Sequence, residues 1–126
     1  CSTVGFAAGE KVTVMDLLWG TILPSGADAA MALGRYVAGS DAAFVTMMND
    51  KAAALGLKNT HFTNCIGLFD PGHYSTCNDI AVIMNAAAAS QLAFTVLVTP
   101  QYTTIPTAVH PQGITVRTCF FPESVL

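Results

Sequence analysis

Two long apolar segments meet at a Pro-Ser-Gly corner, and this corner constrains the fold more than any other feature of the chain. The stretch reads DLLWGTILPSGADAAMALGRYVAG, in which Pro24 ends one helical segment and Ser25 or Gly26 begins the next. A helix start offers free backbone N–H groups and the positive end of the helix dipole. Because these features suit an N-cap serine and a catalytic serine equally, both interpretations of Ser25 remain open.

Start and stop signals divide the rest of the chain into about five helices and short extended segments. Cap residues precede apolar runs, glycine or proline follows them, and β-branched and aromatic residues collect near the C-terminus. The sequence therefore predicts a mainly α fold with short β segments near the C-terminus, and residues 1–126 are interpreted as one domain or part of one. The first three predicted helices run from the Thr13/Asp16 capping box to about Leu23, from Ser25 or Gly26 to about Ala38, and from a Ser40 cap to a stop at Gly56. The fourth runs from a cap at Ser75 or Thr76 through CNDIAVIMNAAAAS, and the fifth through QLAFTVLVT. The predicted strands are QYTTIP and GITVRTCFF, and LKNTHFTNCIGLFDPGHYST is predicted to be a loop with one short strand.

The chain carries unusually few charges for its apolar content. Hydrophobic residues make up 52% and charged residues 10%, whereas a typical soluble domain carries about 25% charged residues. We therefore expect part of the apolar surface to meet another domain or subunit, and the isolated chain to self-associate.

A net charge of −3 with five Lys and Arg argues against a nucleic-acid partner. The apolar runs IAVIMNAAAA and LAFTVLV are shorter than the ~20 residues of a membrane span.

Two His-x3-Cys pairs raise the question of a metal site. His61, Cys65, His73 and Cys77 are ligand types that can hold Zn²⁺ tetrahedrally, although their spacing matches no standard zinc module. In the alternative interpretation the two histidines make loop hydrogen bonds and the two cysteines either pack or form a disulfide. The chain also contains Cys1 and Cys119, and its residues leave the pairing and redox state of all four cysteines open.

A Ser-His-Asp triad is a second alternative. Ser25 is available as the serine, and His61, His73 or His110 as the base. The G-x-S-x-G sequence that places a nucleophilic serine on a strand-to-helix turn is absent. Nothing in the spacing of these residues therefore favours a triad.

A family resemblance accounts for the corner. The stretch GEKVTVMDLLWGTILPSGADAAMALGRYVAGSDAAFVTMMNDKAAALGLKNTHFTN resembles the serine-type D-alanyl-D-alanine carboxypeptidases, the low-molecular-mass penicillin-binding proteins related to class A β-lactamases. The likeness continues through Gly67 and Leu68, HYSTCNDIA and YTTIPTAVHPQG. It implies the helical subdomain of the α/β β-lactamase/transpeptidase-like fold. In that family the Pro-Ser-Gly corner carries the serine of a Ser-x-Asn motif at one wall of the active site.

The resemblance implies three catalytic motifs, of which this chain holds part of one. Ser25 takes the position of the Ser-x-Asn serine, which relays protons, but Ala27 stands where the substrate-binding Asn is expected. The nucleophilic Ser-x-x-Lys and the carboxylate-binding Lys-Thr-Gly are both absent from the chain. No serine of the chain is followed by Lys three residues later, and no lysine begins Lys-Thr-Gly. The serines are Ser2, Ser25, Ser40, Ser75, Ser90 and Ser124, and the lysines are Lys11, Lys51 and Lys58.

The resemblance leads to a functional expectation for a longer parent protein. That parent would be an exported D-alanyl-D-alanine carboxypeptidase of the cell envelope, which trims peptidoglycan stem peptides through an acyl-serine and is acylated by β-lactams. Residues 1–126 would be an interior piece, inactive alone, that packs against the missing part of the catalytic domain. No metal or organic cofactor is implied. The alternative is a non-catalytic module of the same fold that binds peptidoglycan or a protein, and a β-lactamase ranks below both.

Overall fold

The computed structural model describes residues 2–118, and this part of the chain is mainly helical, as the sequence predicts. It contains five helices and one two-stranded antiparallel sheet. The predicted strand GITVRTCFF is confirmed over three of its residues, and residues 119–121 of it lie outside the described part. The elements are α1 (Val14–Ile22), α2 (Ala27–Ala38), α3 (Asp41–Ala54), α4 (Cys77–Ala88), α5 (Gln91–Leu97), β1 (Gln101–Thr103) and β2 (Thr115–Arg117).

Local capping signals place three of the helix starts where the sequence predicts them. Thr13 and Asp16 form a complete capping box at α1, in which each side chain accepts the backbone N–H of the other residue. Ser40 at α3 and Thr76 at α4 each accept the N–H of the third helical residue. Gly56 follows α3 with a φ of +75°, the left-handed conformation that ends a helix.

The described part of the chain forms two compact units, of which the first comprises the residues up to Leu33 and those from Thr95 onward. Its core is a cluster of buried aliphatic side chains from the C-cap of α1, from α5 and from β2, surrounded by partly buried residues. Strands β1 and β2 pair with Tyr102 opposite Val116. The Val116 side chain is buried in the core, and Tyr102 packs against this core. The buried members are Leu23, Val96 and Val116, and the partly buried ones are Val4, Leu18, Trp19, Ile22, Tyr102 and Ile114.

A buried carboxylate links α1 to β1 in the first unit. Asp16 is 0% exposed, and one of its oxygens accepts the Tyr102 hydroxyl at 2.9 Å and the Ile105 N–H at 3.1 Å. The other oxygen accepts the Thr13 hydroxyl at 2.7 Å and the Thr13 N–H at 3.2 Å. Burial first, and then the bond to Asp16, raise the pKa of Tyr102 to about 12. The Tyr102 ring also stacks on Trp19 with 4.6 Å between centroids.

A second carboxylate, Glu10, binds the loop between β1 and β2. Its side chain is only 1% exposed and lies 2.8 Å from Nδ1 of His110. The Thr107 hydroxyl and the Ala7 N–H also donate to it. The hydrogen bond from His110 first, then those from Thr107 and Ala7, lower the pKa of Glu10 to about 2.

Acid should loosen this loop through Glu10. Because the pKa of Glu10 is about 2 in the folded chain against 4.5 for the free side chain, its contribution to stability is complete above pH 4.5 and is lost as the pH falls towards 2. Hydrogen exchange of peptides covering residues 103–113, corrected for intrinsic rates, should therefore rise over this pH range in the native protein. In Glu10→Gln the exchange should already be high at neutral pH and change less with acid. Asp50→Asn removes the same charge from an exposed position and should behave like wild type; equal profiles for all three proteins would contradict the prediction.

The second unit comprises Gly34–Phe94 and contains the loop between α3 and α4. Asn49 of α3 holds this loop, because its amide donates to Phe62 O at 2.8 Å and accepts the Phe62 N–H at 2.8 Å. The short predicted strand is present as one antiparallel bridge between His61 and Tyr74. A groove of about 710 Å³ lies along one side of α3. Apolar side chains dominate its lining: Phe44, Met47, Met48, Leu55, Phe62 and Ile83.

Many large apolar side chains in both units face solvent. Phe69 is 88% exposed and Tyr36 is 72% exposed, which agrees with the excess of apolar over charged residues. Among the described helices no single one is both long and apolar enough to cross a membrane. The consecutive pair α4 and α5 meets the length and hydropathy requirements together, with a bend of 110° between them.

Candidate active site

Ser25 has an unusual backbone conformation at the corner between α1 and α2. Its φ is +56°, and it is the non-glycine residue with positive φ in the part of the chain that the structure describes. The side chain is exposed, and within residues 2–118 its hydroxyl has no hydrogen-bond partner. Left-handed non-glycine residues are uncommon and collect at functional sites, where surrounding structure maintains the strain. The Ser25 hydroxyl therefore faces solvent at a strained corner and is free to bond to a ligand.

The N-cap interpretation of Ser25 is wrong. Helix α2 begins at Ala27, so Ser25 lies two residues before the first helical residue rather than one. An N-cap residue has an extended backbone and its oxygen accepts an N–H of the first turn, whereas Ser25 is left-handed and accepts none. The first N–H of α2, that of Ala27, instead donates to Ser2 O at 2.8 Å.

Close backbone packing holds the corner beside Ser25. The Gly26 N–H donates to Gly20 O of α1 at 3.0 Å. A Cβ on Gly26 would lie 2.5 Å from that same oxygen and 2.7 Å from Cγ2 of Val4. Since real Cβ atoms do not approach other atoms so closely, only glycine allows the chain to follow this path.

A carboxylate at the start of α2 binds the N-terminal segment of the chain, residues 2–6, which we call the strap. Oδ1 of Asp28 accepts the Val4 N–H at 2.8 Å, and Oδ2 accepts the Gly5 and Phe6 N–H groups at 2.9 and 3.2 Å. Oδ1 also accepts the Ala29 N–H at 3.0 Å. Burial opposes ionisation of this carboxylate, but the four backbone bonds together outweigh it, so the pKa of Asp28 lies below its usual value.

The two histidines of the His-x3-Cys pairs bond to groups of their own loop. Nδ1 of His61 donates to Gly72 O at 2.6 Å, and Nδ1 of His73 accepts the Thr63 N–H at 3.0 Å. Cys65 and Cys77 are free thiols, so the disulfide between them is not formed. Within residues 2–118 no group of three or more His, Cys, Asp or Glu side chains could hold a metal ion. The two histidines make loop hydrogen bonds, as in the alternative interpretation of these residues.

Burial, and not a charged neighbour, dominates the environment of Cys65. It raises the pKa of the thiol, which leaves Cys65 a poor nucleophile. The other two cysteines, Cys1 and Cys119, lie outside the described residues.

The structure gives no support to a Ser-His-Asp triad. His110 does pair with a carboxylate, but that carboxylate is Glu10. His61 and His73 bond to backbone groups of their own loop. None of the three imidazoles donates to or accepts from Ser25.

Comparison with known sequences decides the family. The profile of the D-alanyl-D-alanine carboxypeptidase family, Peptidase S11, matches residues 1–110. The chain belongs to the D-alanyl-D-alanine carboxypeptidase family. The resemblance seen in the sequence is thereby confirmed.

Individual family members agree over much of this chain. DacF of Bacillus subtilis is 44% identical over 82 residues, which are 65% of this chain and 21% of the relative. The carboxypeptidase of Streptomyces sp. strain K15 is 44% identical over 101 residues, which are 75% of this chain and 35% of the relative. The chain thus spans only a minor part of these family members.

Solved structures of the family share the fold. A mutant of the Streptomyces K15 DD-transpeptidase superposes with a TM-score of 0.86 and 34% identity, covering 94% of this chain and 49% of that one. The D-alanyl-D-alanine carboxypeptidase DacD of Francisella tularensis superposes with a TM-score of 0.79 and 31% identity, covering 92% and 27%. The predicted fold class, part of a transpeptidase-like fold, is confirmed.

The sequence predicts Ser25 and Ala27 as site positions but gives no sign of the contacts that surround them. Asp28 lies in the first turn of α2, where an acidic residue is common because of the helix dipole. The strap supplies mainly backbone N–H and C=O groups, which every residue type carries. No sequence signal therefore connects Asp28 to the strap.

Proposed function

We propose that the whole protein is a serine-type D-alanyl-D-alanine carboxypeptidase that removes the terminal D-alanine from peptidoglycan stem peptides. Membership of the family over residues 1–110 carries this proposal. An exposed serine with an unbonded hydroxyl at the position of the Ser-x-Asn serine supports it. As such an enzyme the whole protein would act in the cell envelope and would be acylated by β-lactams.

The proposed chemistry divides one peptide hydrolysis into two steps. A serine of a Ser-x-x-Lys motif outside residues 1–126 attacks the carbonyl carbon of the D-Ala-D-Ala bond, and its proton passes to a neighbouring base. The C–N bond breaks as a proton reaches the leaving amine, which releases D-alanine and leaves an acyl ester. Water then hydrolyses the ester and restores the serine. No metal or organic cofactor takes part.

Ser25 would relay the proton between the base and the leaving amine. Its hydroxyl can donate and accept at once, and in the described residues no internal bond competes for it. Ala27, the first residue of α2, offers only a methyl group in place of an amide. Substrate orientation would therefore depend on other groups, among them a Lys-Thr-Gly strand outside this chain.

The proposal also assigns a role to the exposed apolar side chains of the two units. We propose that residues 1–126 are the helical part of a catalytic domain whose remainder covers some of this surface. Without that remainder the chain would lack its nucleophile, would be inactive and would self-associate through the uncovered surface.

One assay with two substrates tests the function. The whole protein should release D-alanine from a peptide ending in D-Ala-D-Ala, and much less from the matched peptide ending in D-Ala-L-Ala. It should also form a stable covalent adduct with fluorescent penicillin. Rapid turnover of the penicillin would indicate a β-lactamase instead. Binding to peptidoglycan with neither D-alanine release nor labelling would indicate a non-catalytic module, and either result would overturn the proposal.

A further inference from the structure

We propose that Asp28 is a positioning residue for Ser25, because its carboxylate holds the strap against the Pro-Ser-Gly corner and so maintains the left-handed conformation that presents the Ser25 hydroxyl. This inference rests on the proposed function, in which Ser25 relays protons. Asp28 itself does not contact Ser25 and does not take part in the chemistry.

The Asp28 carboxylate joins the strap to α2 through four hydrogen bonds, an arrangement that we call the clasp. Three consecutive N–H groups of the strap, from Val4 to Phe6, donate to its two carboxylate oxygens at 2.8 to 3.2 Å. Hydrogen bonds to an ionised acceptor are stronger than those between neutral groups. With its fourth bond to Ala29 in its own helix, the carboxylate fixes the strap to the first turn of α2.

The strap in turn closes the corner from two sides. Ser2 O accepts the N–H of Ala27, two residues after Ser25. The Val4 side chain occupies the space beside Gly20 of α1 and Gly26 of the corner, where Cγ2 would be 2.8 Å from a Cβ on Gly20 and 2.7 Å from one on Gly26. Releasing the strap would therefore remove a hydrogen bond and a packing contact next to Ser25.

Ser25 needs such support because its conformation is intrinsically disfavoured. At φ +56° the Cβ of an L-residue crowds the adjacent carbonyl oxygen. Strained residues of this kind persist only where surrounding contacts maintain them. Because proton relay requires the hydroxyl to be placed within fractions of an ångström, relaxation of the corner should reduce the rate more than the binding of substrate.

A double-mutant cycle in the whole protein tests the inference. Asp28→Asn keeps one acceptor oxygen and loses the charge, and it should lower kcat for D-alanine release by about 10- to 100-fold with little change in KM. In a Ser25→Ala background the same change should lower the residual rate by about twofold or less, because Asp28 acts through Ser25. An equal loss in both backgrounds, or no loss when Ser25 is present, would overturn the inference.

Two further variants separate positioning from misfolding. Val4→Ala weakens the strap without touching the carboxylate and should lower kcat in the same direction as Asp28→Asn, with the same dependence on Ser25. Asp41→Asn is the matched control, since Asp41 also lies in the first turn of a helix, where it pairs with exposed Arg35. It should leave kcat unchanged, and a loss equal to that of Asp28→Asn would contradict a specific role for the clasp.

A structural measurement keeps the inference distinct from the proposed function. A crystal structure of the Asp28→Asn protein should show Ser25 moved out of the left-handed region or the strap released from α2. An unchanged corner would overturn the inference whatever the activity. A wild-type protein that neither releases D-alanine nor reacts with penicillin would overturn the proposed function. The crystal structure of Asp28→Asn would then be the test of whether Asp28 holds the strap and the corner in place.

Discussion

Ser25→Ala in the whole protein should lower the rate of acylation by penicillin, and of D-alanine release, by about 10²- to 10⁴-fold, the range that a positioned proton-transfer group contributes. The hydroxyl is exposed and has no partner within residues 2–118. Its removal therefore breaks no internal bond, and the loss should come from the chemistry and not from unfolding. The measurement is single-turnover labelling with fluorescent penicillin, beside the melting temperature of each protein.

Ser40→Ala provides the matched control for Ser25. The Ser40 hydroxyl caps α3 by accepting the Ala43 N–H at 3.1 Å, so its loss should cost about 1 kcal/mol of stability and leave acylation unchanged. Ser25→Ala should show the reverse, with a large kinetic effect and a small change in stability. A Ser25→Ala protein that is acylated at the wild-type rate would remove Ser25 from the mechanism.

Asp16→Ala should destabilise the protein several times more than the loss of one helix cap. The carboxylate is 0% exposed, and its removal leaves the Tyr102 hydroxyl and the Ile105 N–H without their acceptor. Each polar group left unpaired at such a partly buried position costs up to about 1–3 kcal/mol, and the Thr13 capping bonds are lost as well, so the free energy of unfolding should fall by about 3–5 kcal/mol. Denaturant titration of the whole protein measures this change.

Two comparisons identify the cause of the Asp16 effect. Thr13→Ala removes only the cap and should cost about 1 kcal/mol. The absorbance change on ionisation of Tyr102 should move to lower pH in Asp16→Ala, because the bond to Asp16 helps to hold the pKa of Tyr102 at about 12. A loss no larger than that of Thr13→Ala, with an unchanged tyrosine titration, would show that the link between α1 and β1 contributes little.

Features that depend on neighbours three or four residues apart could be predicted from the residue types alone. The capping box of Thr13 and Asp16, the caps at Ser40 and Thr76 and the left-handed stop at Gly56 are local interactions, so the residue types reveal them directly. The family motif likewise located Ser25 and Ala27, because motif recognition requires only residue identity and order.

The long-range contacts of the acidic residues become visible only in the folded chain. Asp28 bonds to residues that lie 22 to 24 positions away in the sequence. Asp16 bonds to Tyr102, 86 positions away, and Glu10 bonds to His110, 100 positions away. Such bonds leave no periodic pattern, since their donors are backbone groups or single side chains far along the chain. The same reason explains why the sequence does not reveal Ser25 as left-handed or Asp28 as a clasp. A backbone angle at one corner depends on which distant segment packs against it, and that is settled only when the chain folds.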